Sequence, residues 1–172
     1  TAVGSDPDTG SISYCWEERD LGPAQTAGAA DNGSSPVFRS LPPTSSPSRT
    51  FPTLSGILTG TQRIGEQLPT QSRVMAFRVV ARDNTPNGGG IAFDDTTVTV
   101  ADTGAPFAIT SPNGSQAISG SHTVTWNVSG TDGAPINTTN VDILLSVDGG
   151  ETFDLMLATH TANDGSETIA FP

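Results

Sequence analysis

The sequence predicts an all-β fold built from two tandem β-sandwich domains, and three observations support this prediction. The 172-residue chain is rich in turn formers, with 19 Gly and 13 Pro, and it contains no Lys. Several segments alternate apolar and polar residues with a period of two, which is typical of strands with one buried face. All seven Arg lie before residue 83, whereas the segment after residue 103 contains seven acidic residues and no Arg. This change in charge predicts a boundary between two domains, at residues 1–103 and 104–172. The strand pattern predicts that both domains are immunoglobulin-like.

Three strands are predicted in the first domain, at residues 11–18, 74–82 and 91–100. Tyr14 and Trp16 alternate with polar residues, so the first of these strands should have an aromatic face. In the second strand Met, Phe and Val alternate with Arg, which indicates a sheet with one solvated side. The Asp-Asn-Thr-Pro-Asn-Gly-Gly-Gly run of residues 83–90 predicts the turn between the last two strands.

The long stretch between the first two strands has little periodicity and is rich in Pro, Ser, Thr and Gly. We therefore expect long loops over residues 20–72. Within them, short strands are predicted at residues 37–40 and 49–51, and a short helical turn at 53–58.

The second domain should contain five strands, at residues 107–110, 122–128, 141–147, 152–157 and 167–171. Val124, Trp126 and Val128 point to one side of their strand, and a Trp in an early strand of a small sandwich usually packs at its centre. Because such sandwiches contain about seven strands, we expect further strands to come from sequence outside this segment or from a neighbouring chain.

Charge and composition exclude several functional classes. The net charge of −11 disfavours nucleic acid and anionic membranes as partners. Without Lys the chain cannot form a Schiff base or a P-loop, and with Cys15 as its single cysteine it cannot form an internal disulfide. No apolar run reaches 18 residues, so no membrane-inserted helix is predicted.

Acidic residues near predicted loops form the main candidate site. Asp6 and Asp8 precede the first strand, Asp83 ends the second, and Asp94 and Asp95 lie early in the third. In an immunoglobulin-type sandwich the corresponding loops emerge at the same end, so these oxygens could bind a hard cation, above all Ca²⁺. The alternative interpretation is that Asp, Asn, Pro and Gly are present because they form turns. Both interpretations stay open at this point.

A second motif is the segment Ser146-Val147-Asp148-Gly149-Gly150-Glu151-Thr152-Phe153. It fits the pattern Ser-x-Asp-x-Gly-x-Thr-aromatic that is called an Asp-box in sialidase propellers. A propeller requires several repeats, and this sequence contains one. We therefore interpret the segment as a hairpin turn, in which Asp148 accepts backbone N–H groups and the two glycines adopt positive φ.

Two groups of segments resemble known extracellular modules. Gly4-Ser5-Asp6-Pro7-Asp8, followed by Ile12-Ser13-Tyr14-Cys15-Trp16-Glu17, resembles the opening of bacterial PKD-like and cadherin-like modules. Thr9-Gly10 stands where that pattern usually has a further Asp or Asn. Residues 31–40, 77–84, 94–100, 125–128 and 141–146 resemble the β-sandwich region downstream of the catalytic domain in secreted, reprolysin-like zinc metalloproteases of bacteria.

The resemblance implies non-catalytic, extracellular modules of a larger exported protein, with more sequence on both sides of this segment. The zinc-protease motif is absent from these residues, so neither the activity nor any catalytic residue carries over. The expected partners are flanking domains of the same polypeptide and an extracellular protein or polysaccharide.

Three functions are weighed on this basis. The first is a spacer or adhesion module rigidified by Ca²⁺. The second is a structural subunit of an extracellular filament or adhesin that self-associates through edge strands by β-strand addition. The third is an enzyme acting at the acidic loops, which is disfavoured because no nucleophile, base and orienting group occur at usable spacing.

Overall fold

The computed structural model describes residues 1–7, 10–61, 63–86, 89–115 and 117–172. These residues form eight strands and one short helix: β1 (Ile12–Glu18), α1 (Leu54–Thr59), β2 (Arg73–Asp83), β3 (Ile91–Val100), β4 (Ala108–Ser111), β5 (Gly120–Asn127), β6 (Asn140–Leu145), β7 (Leu155–Ala162) and β8 (Ser166–Phe171). The all-β class predicted from the sequence is confirmed. No helix in the described ranges has the length and apolar character that crossing a membrane requires.

The chain divides into two compact units, Thr1–Val100 and Ala101–Pro172. The first unit contains β1, β2, β3 and α1, and the second contains β4 to β8. The division falls close to the boundary expected after residue 103 from the distribution of charge.

The first unit contains an antiparallel sheet in the order β1-β2-β3. Its register aligns Trp16 with Val79 and Asp94 across the three strands. Because side chains alternate along each strand and directly opposed residues share a face, these three residues mark one face of the sheet. Met75 and Phe77 lie on the same face and are buried, as the alternation in β2 predicts. We call this the inner face.

Part of the loop segment between β1 and β2 covers one half of the inner face. Val37 and Phe38 pack on Met75 and Phe77, and Phe51 adds to the cluster. The three phenylalanine rings contact one another, with centroids 4.9 to 6.3 Å apart and tilted or edge-on planes, as ring quadrupoles favour.

The prediction of two short strands inside this loop segment is wrong. Residues 37–40 form only an isolated bridge between Phe38 and Glu66, and residues 49–51 are not a strand. The helical turn predicted at 53–58 is present as α1 and ends at Gly60, which adopts a positive φ of 64°. Side chains rather than strand pairing hold most of this segment, as described below.

The second unit consists of a three-stranded sheet, β4-β5-β8, and a two-stranded sheet, β6-β7. Val124, Trp126 and Ile169 of the first sheet form its core, and Val141, Ile143 and Leu157 of the second sheet pack against them. The five strands predicted from the sequence are present, but the fourth lies at Leu155–Ala162 rather than at 152–157. It begins late because the Asp148 turn occupies residues up to Thr152.

Asn163 fixes the position of the buried Trp126 ring. Its side-chain carbonyl accepts the indole N–H of Trp126 at 2.9 Å, and its amide donates to the Thr138 carbonyl at 2.8 Å and to the Thr131 hydroxyl at 3.0 Å. Asn163 and Trp126 are both buried. The side chain therefore satisfies the one polar atom of Trp126 and ties the β7–β8 turn to a loop.

Replacing Asn163 by Ala should destabilise the second unit by about 1–3 kcal/mol, because the indole N–H stays buried without an acceptor. A urea titration followed by amide NMR signals of each unit measures this loss separately from the first unit. Asn140→Ala is the matched control, since Asn140 is exposed and makes only a 3.3 Å contact with Thr139. Equal losses in the two variants would show that the indole partner is unimportant.

Candidate functional site

The structure brings two of the predicted metal-ligating carboxylates together at Gly10. A Cβ placed on Gly10 would lie 2.5 Å from Oδ2 of Asp6, 2.7 Å from Oδ1 of Asp83 and 2.8 Å from Oγ1 of Thr85. The absence of a side chain at Gly10 therefore leaves room for both carboxylates to converge. Asp83 also accepts the N–H and hydroxyl of Thr85, at 2.8 and 2.7 Å, and these bonds lower its pKa.

The other predicted ligands have different positions. Asp94 lies opposite Val79, four residues from Asp83 along β2, which is about 13 Å at 3.3 Å per residue. Asp95 points to the other face and pairs bidentately with Arg78, at 2.6 and 2.7 Å, which lowers the pKa of this carboxyl. Asp8, like Asn87 and Gly88 of the predicted 83–90 turn, lies outside the described residues.

The donor set at Gly10 is small. Within the described ranges, no three His, Cys, Asp or Glu side chains are close enough together to hold one metal ion. Asp6 and Asp83 supply two carboxylates, whereas Ca²⁺ in proteins takes six to eight oxygen ligands. These two residues fit a hard cation in chemical type, and backbone oxygens or water would have to complete its shell.

An open groove runs over the uncovered half of the inner face. Its larger part, about 1100 Å³, is lined by the segment 1–7, by Tyr14 and Trp16 of β1, and by residues of β2 and β3 that include Asp83 and Asp94. A second cavity of about 450 Å³ is mainly apolar and is lined by Phe51, Leu68, Val98 and their neighbours. The two cavities share Thr1, Trp16 and Thr96, so they are continuous along β3.

Arg73 is the centre of a buried ionic cluster in the first unit. Its side chain is 4% exposed and forms ion pairs with Asp20 at 2.6 Å, Asp31 at 3.1 Å and Glu18 at 3.5 Å. It also donates to the Ser35 carbonyl at 2.9 Å. The planar guanidinium can reach all these acceptors because its donors form a rigid fork. One arginine therefore connects β2 to the end of β1 and to two points, Asp31 and Ser35, of the loop segment between β1 and β2. We call this segment, residues 19–72, the covering loop.

Each carboxylate of this cluster also accepts backbone N–H groups. Asp31 accepts from Gly33, Thr70 and Gln71 at 2.8 to 3.2 Å. Burial alone would raise its pKa, but these N–H groups and the Arg73 charge outweigh burial and lower it. Glu18 accepts the N–H groups of Val37 and Phe38 at 2.8 and 2.6 Å, so it places both apolar residues on the sheet.

Glu18 holds its proton much more tightly than an ordinary glutamate. Burial and the adjacent Asp20 carboxylate raise the pKa of Glu18 to about 7, although the N–H groups of Phe38 and Val37 oppose the rise. Burial is the main cause, and the Asp20 carboxylate adds to it because it also lies against the single Arg73 guanidinium. A proton on Glu18 removes one negative charge and provides a donor for Asp20.

Arg49 and Glu66 form a second fastening of the covering loop. Arg49 is ion-paired with Glu66, donates to the Trp16 carbonyl at 2.6 Å and stacks 4.1 Å above the Phe51 ring. Glu66 is almost fully buried, and its other oxygen accepts the N–H of Thr53 at 2.8 Å. This pair fixes the loop that carries Phe51 into the core.

The segment predicted as an Asp-box has the expected hairpin-turn geometry. Asp148 accepts the N–H of Thr152 at 3.0 Å and the hydroxyls of Thr152 and Ser146 at 2.7 Å, and these bonds lower its pKa. Gly149 and Gly150 have φ values of 83° and 96°, which a residue with a Cβ rarely adopts. The interpretation of this segment as a turn is confirmed.

The two histidines and the single cysteine of the chain lie beside residues that have structural roles. His122 lies edge-on to Phe171 with ring centroids 6.5 Å apart, and the backbone N–H of His160 donates to Asp142 at 2.7 Å. Cys15 is half-buried, donates to the Leu41 carbonyl at 3.3 Å and has a pKa raised mainly by burial.

Sequence reasoning missed the buried cluster at Arg73. Glu18, Asp20, Asp31 and Arg73 are separated by up to 55 residues and share no motif. One signal in the sequence is that all seven Arg lie in the first unit, where some of them could pair with buried carboxylates. A second signal was Asp31-Asn32-Gly33, a turn sequence whose Asp can accept backbone N–H groups.

Comparisons of this chain with protein-family models, with curated proteins and with solved structures found no match.

Replacing Arg73 by Met should destabilise the first unit by about 3–5 kcal/mol, because it leaves buried carboxylates without their counter-charge. Arg78→Met is the control, since the Arg78–Asp95 pair lies at the surface, where ion pairs contribute little. Urea titration followed by NMR signals of the first unit measures both changes. A loss for Arg73→Met no greater than the loss for Arg78→Met would contradict a stabilising role for the cluster.

The stability of the first unit should fall as the pH rises from about 4.5 to about 7. The pKa of Glu18 is higher in the folded state than its ordinary value of 4.5. Its contribution is therefore complete below pH 4.5 and is lost as the pH passes through 7. One proton gives a slope of at most about 1.4 kcal/mol per pH unit.

Glu18→Gln should remove this slope, because the amide is permanently neutral and can still donate to Asp20. Glu17→Gln is the matched control, since Glu17 is the neighbouring residue and its side chain accepts an exposed hydrogen bond from the Ser40 hydroxyl, outside the Arg73 cluster. The measurement is urea denaturation at a series of pH values between 4.5 and 8. An unchanged slope in Glu18→Gln, or its loss in Glu17→Gln, would exclude Glu18 as its source.

Proposed function

We propose that this chain is a non-catalytic extracellular module that acts as a spacer or adhesion element of a larger secreted bacterial protein. Its two units would then be immunoglobulin-like sandwiches, the first of the PKD or cadherin-like type. The proposed partners are the flanking domains of the same polypeptide and an extracellular protein or polysaccharide.

The main observation behind this proposal is that the buried and turn-forming charged side chains bind backbone groups of loops and turns. Arg49 and Arg73 bind carboxylates and backbone carbonyls that fasten a loop to a sheet. Asp31, Glu66 and Asp148 bind backbone N–H groups of turns and loops. These charged side chains therefore stabilise loops and turns. Such a structural role is what a module with a rigid surface requires.

The arrangement of the second unit also supports the proposal. Two antiparallel sheets contribute to one core around the buried Trp126. Sandwiches of immunoglobulin type have this layering and a central Trp. The sequence resemblance to regions downstream of secreted metalloprotease domains favours the same interpretation.

We further propose that Ca²⁺ binds at Gly10, where Asp6 and Asp83 would hold it. The support is the convergence of two carboxylates on a point that a Cβ would fill. Ca²⁺ would neutralise both carboxylates and join the N-terminal segment to the end of β2, making this end of the unit more rigid.

Addition of millimolar Ca²⁺ to EDTA-treated protein should raise the melting temperature of the first unit, because an ion that binds only the folded state stabilises it. Asp6→Asn and Asp83→Asn should each abolish most of this rise. Gly10→Ala should abolish it too, because the added methyl group occupies the space between the two carboxylates. Differential scanning calorimetry with and without Ca²⁺ measures these changes.

Asp94→Asn is the matched control, since Asp94 is acidic, exposed and distant from Gly10. It should keep the full response to Ca²⁺. If wild-type protein does not respond, or responds equally in the Asp6, Asp83 and Gly10 variants, the site is excluded and these residues are only turn formers.

The second candidate function is a structural subunit of an extracellular filament or adhesin assembled by β-strand addition. One observation favours it: β3 is the edge of its sheet, is ten residues long and is exposed over most of its length. Polymers on a sizing column, increasing with protein concentration, would support this candidate over the first.

A further inference from the structure

The edge of β3 is unusually open to pairing. Within the described residues, β3 pairs with β2 on one side and with no strand on the other. It contains no Pro, its pairing with β2 is continuous from Arg73–Val100 to Arg82–Ile91, and nine of its ten residues are exposed. Natural proteins usually protect such edges with Pro, bulges, very short strands or charged residues. Of these features β3 has only the charged pair Asp94 and Asp95, so a strand that pairs with it must neutralise them.

The groove along the inner face extends this edge into a docking surface. Asp94, Thr96 and Val98 alternate along β3 on the inner face, as their register with Val79, Phe77 and Met75 requires. Asp94 borders the larger cavity, Val98 borders the apolar cavity, and Thr96 borders both. A strand added to β3 would therefore place every second side chain into this groove.

The charges and apolar groups of the groove define what that strand should contain. Asp6, Asp83 and Asp94 line the larger cavity, and none of its described lining residues is Arg or Lys. The smaller cavity presents Phe51, Leu68 and Val98, of which Leu68 and Val98 are about half-exposed. A basic side chain suits the first position and an apolar side chain suits the second.

A second copy of this chain is a poor occupant for the same reason. The chain carries a net charge of −11, so two copies repel each other. In an antiparallel β3–β3 pair centred on the strand, Asp94 of one copy would also lie diagonally across from Asp95 of the other, so that the added strand would bring no positive charge to either carboxylate.

We propose that β3 is an acceptor edge for an extended, basic segment of a partner protein, which adds to the sheet as a fourth strand. The added segment carries an Arg or Lys opposite Asp94 and an apolar residue opposite Val98, four residues apart on the face turned to the groove. This inference rests on the proposed function, because it names the partner surface of a non-catalytic module.

The test uses a synthetic peptide of about ten residues with blocked ends, alternating Thr and Val and carrying Leu and Arg four residues apart on one face. A second peptide has Glu in place of Arg. Fluorescence anisotropy measures binding of both to the intact chain at low and high salt. Hydrogen exchange locates the backbone amides that become protected.

The Arg peptide should bind between about threefold and tenfold more tightly than the Glu peptide, and salt should reduce the difference. Asp94→Lys should reverse this order. Glu151→Lys, an exposed charge reversal in the second unit, should leave it unchanged. Bound peptide should protect amides of residues 91–100, and Val98→Thr should weaken both peptides.

Any of these peptide results would overturn the proposal: no binding of either peptide, equal binding of both, an order that Asp94→Lys does not reverse, or protection away from β3. Self-association through β3 that excludes the Arg peptide would also overturn it in favour of a second copy. None of these results affects the Ca²⁺ response of the melting temperature, so failure of this inference is distinguishable from failure of the proposed calcium site.

Discussion

The first unit depends on the burial of one guanidinium group, because Arg73 joins the start of β2 to the end of β1 and to the loop segment that covers the sheet. Among the described residues of this unit, six apolar side chains are buried, and four polar or charged residues are buried with them: Asp31, Ser35, Glu66 and Arg73. Burying charge is unfavourable unless each charge is paired and hydrogen-bonded. The fold meets this condition by surrounding Arg73 with carboxylates, which in turn bind the backbone of the loop over the sheet.

The same principle organises irregular backbone elsewhere in the molecule. Glu66 joins Arg49 to the N–H of Thr53, and Asn163 joins the indole of Trp126 to two loop residues. Long loops cannot satisfy their own polar groups as strands do, so side chains must do it. This requirement explains why Asp31, Glu66 and Asn163 are buried although their side chains are polar.

Much of the fold follows from local pattern, whereas the site does not. Alternation identified β1 and β2, the turn before residue 91 and the Thr- and Val-rich end of the strand identified β3, and the buried side of β2 followed from Met75 and Phe77. The covering loop was unpredictable because its position depends on pairs such as Arg73–Asp31, which are distant in sequence and lack a motif. Asp6 and Asp83 do meet at Gly10, as loop topology suggested, but strand geometry holds Asp94 apart from them.

Burial of Glu18 beside Asp20 raises the pKa of the Glu18 carboxyl to about 7, so that Glu18 is partly protonated near neutral pH inside the Arg73 cluster. A carbon-13 NMR titration of the glutamate side-chain carboxyl signals, with Glu18→Gln identifying the resonance, tests this directly. We expect the Glu18 signal to titrate with a midpoint of about 7, well above the ordinary pKa of 4.5. A midpoint at or below 4.5 would mean that the N–H groups of Val37 and Phe38 and the Arg73 charge outweigh burial, and it would contradict the raised pKa.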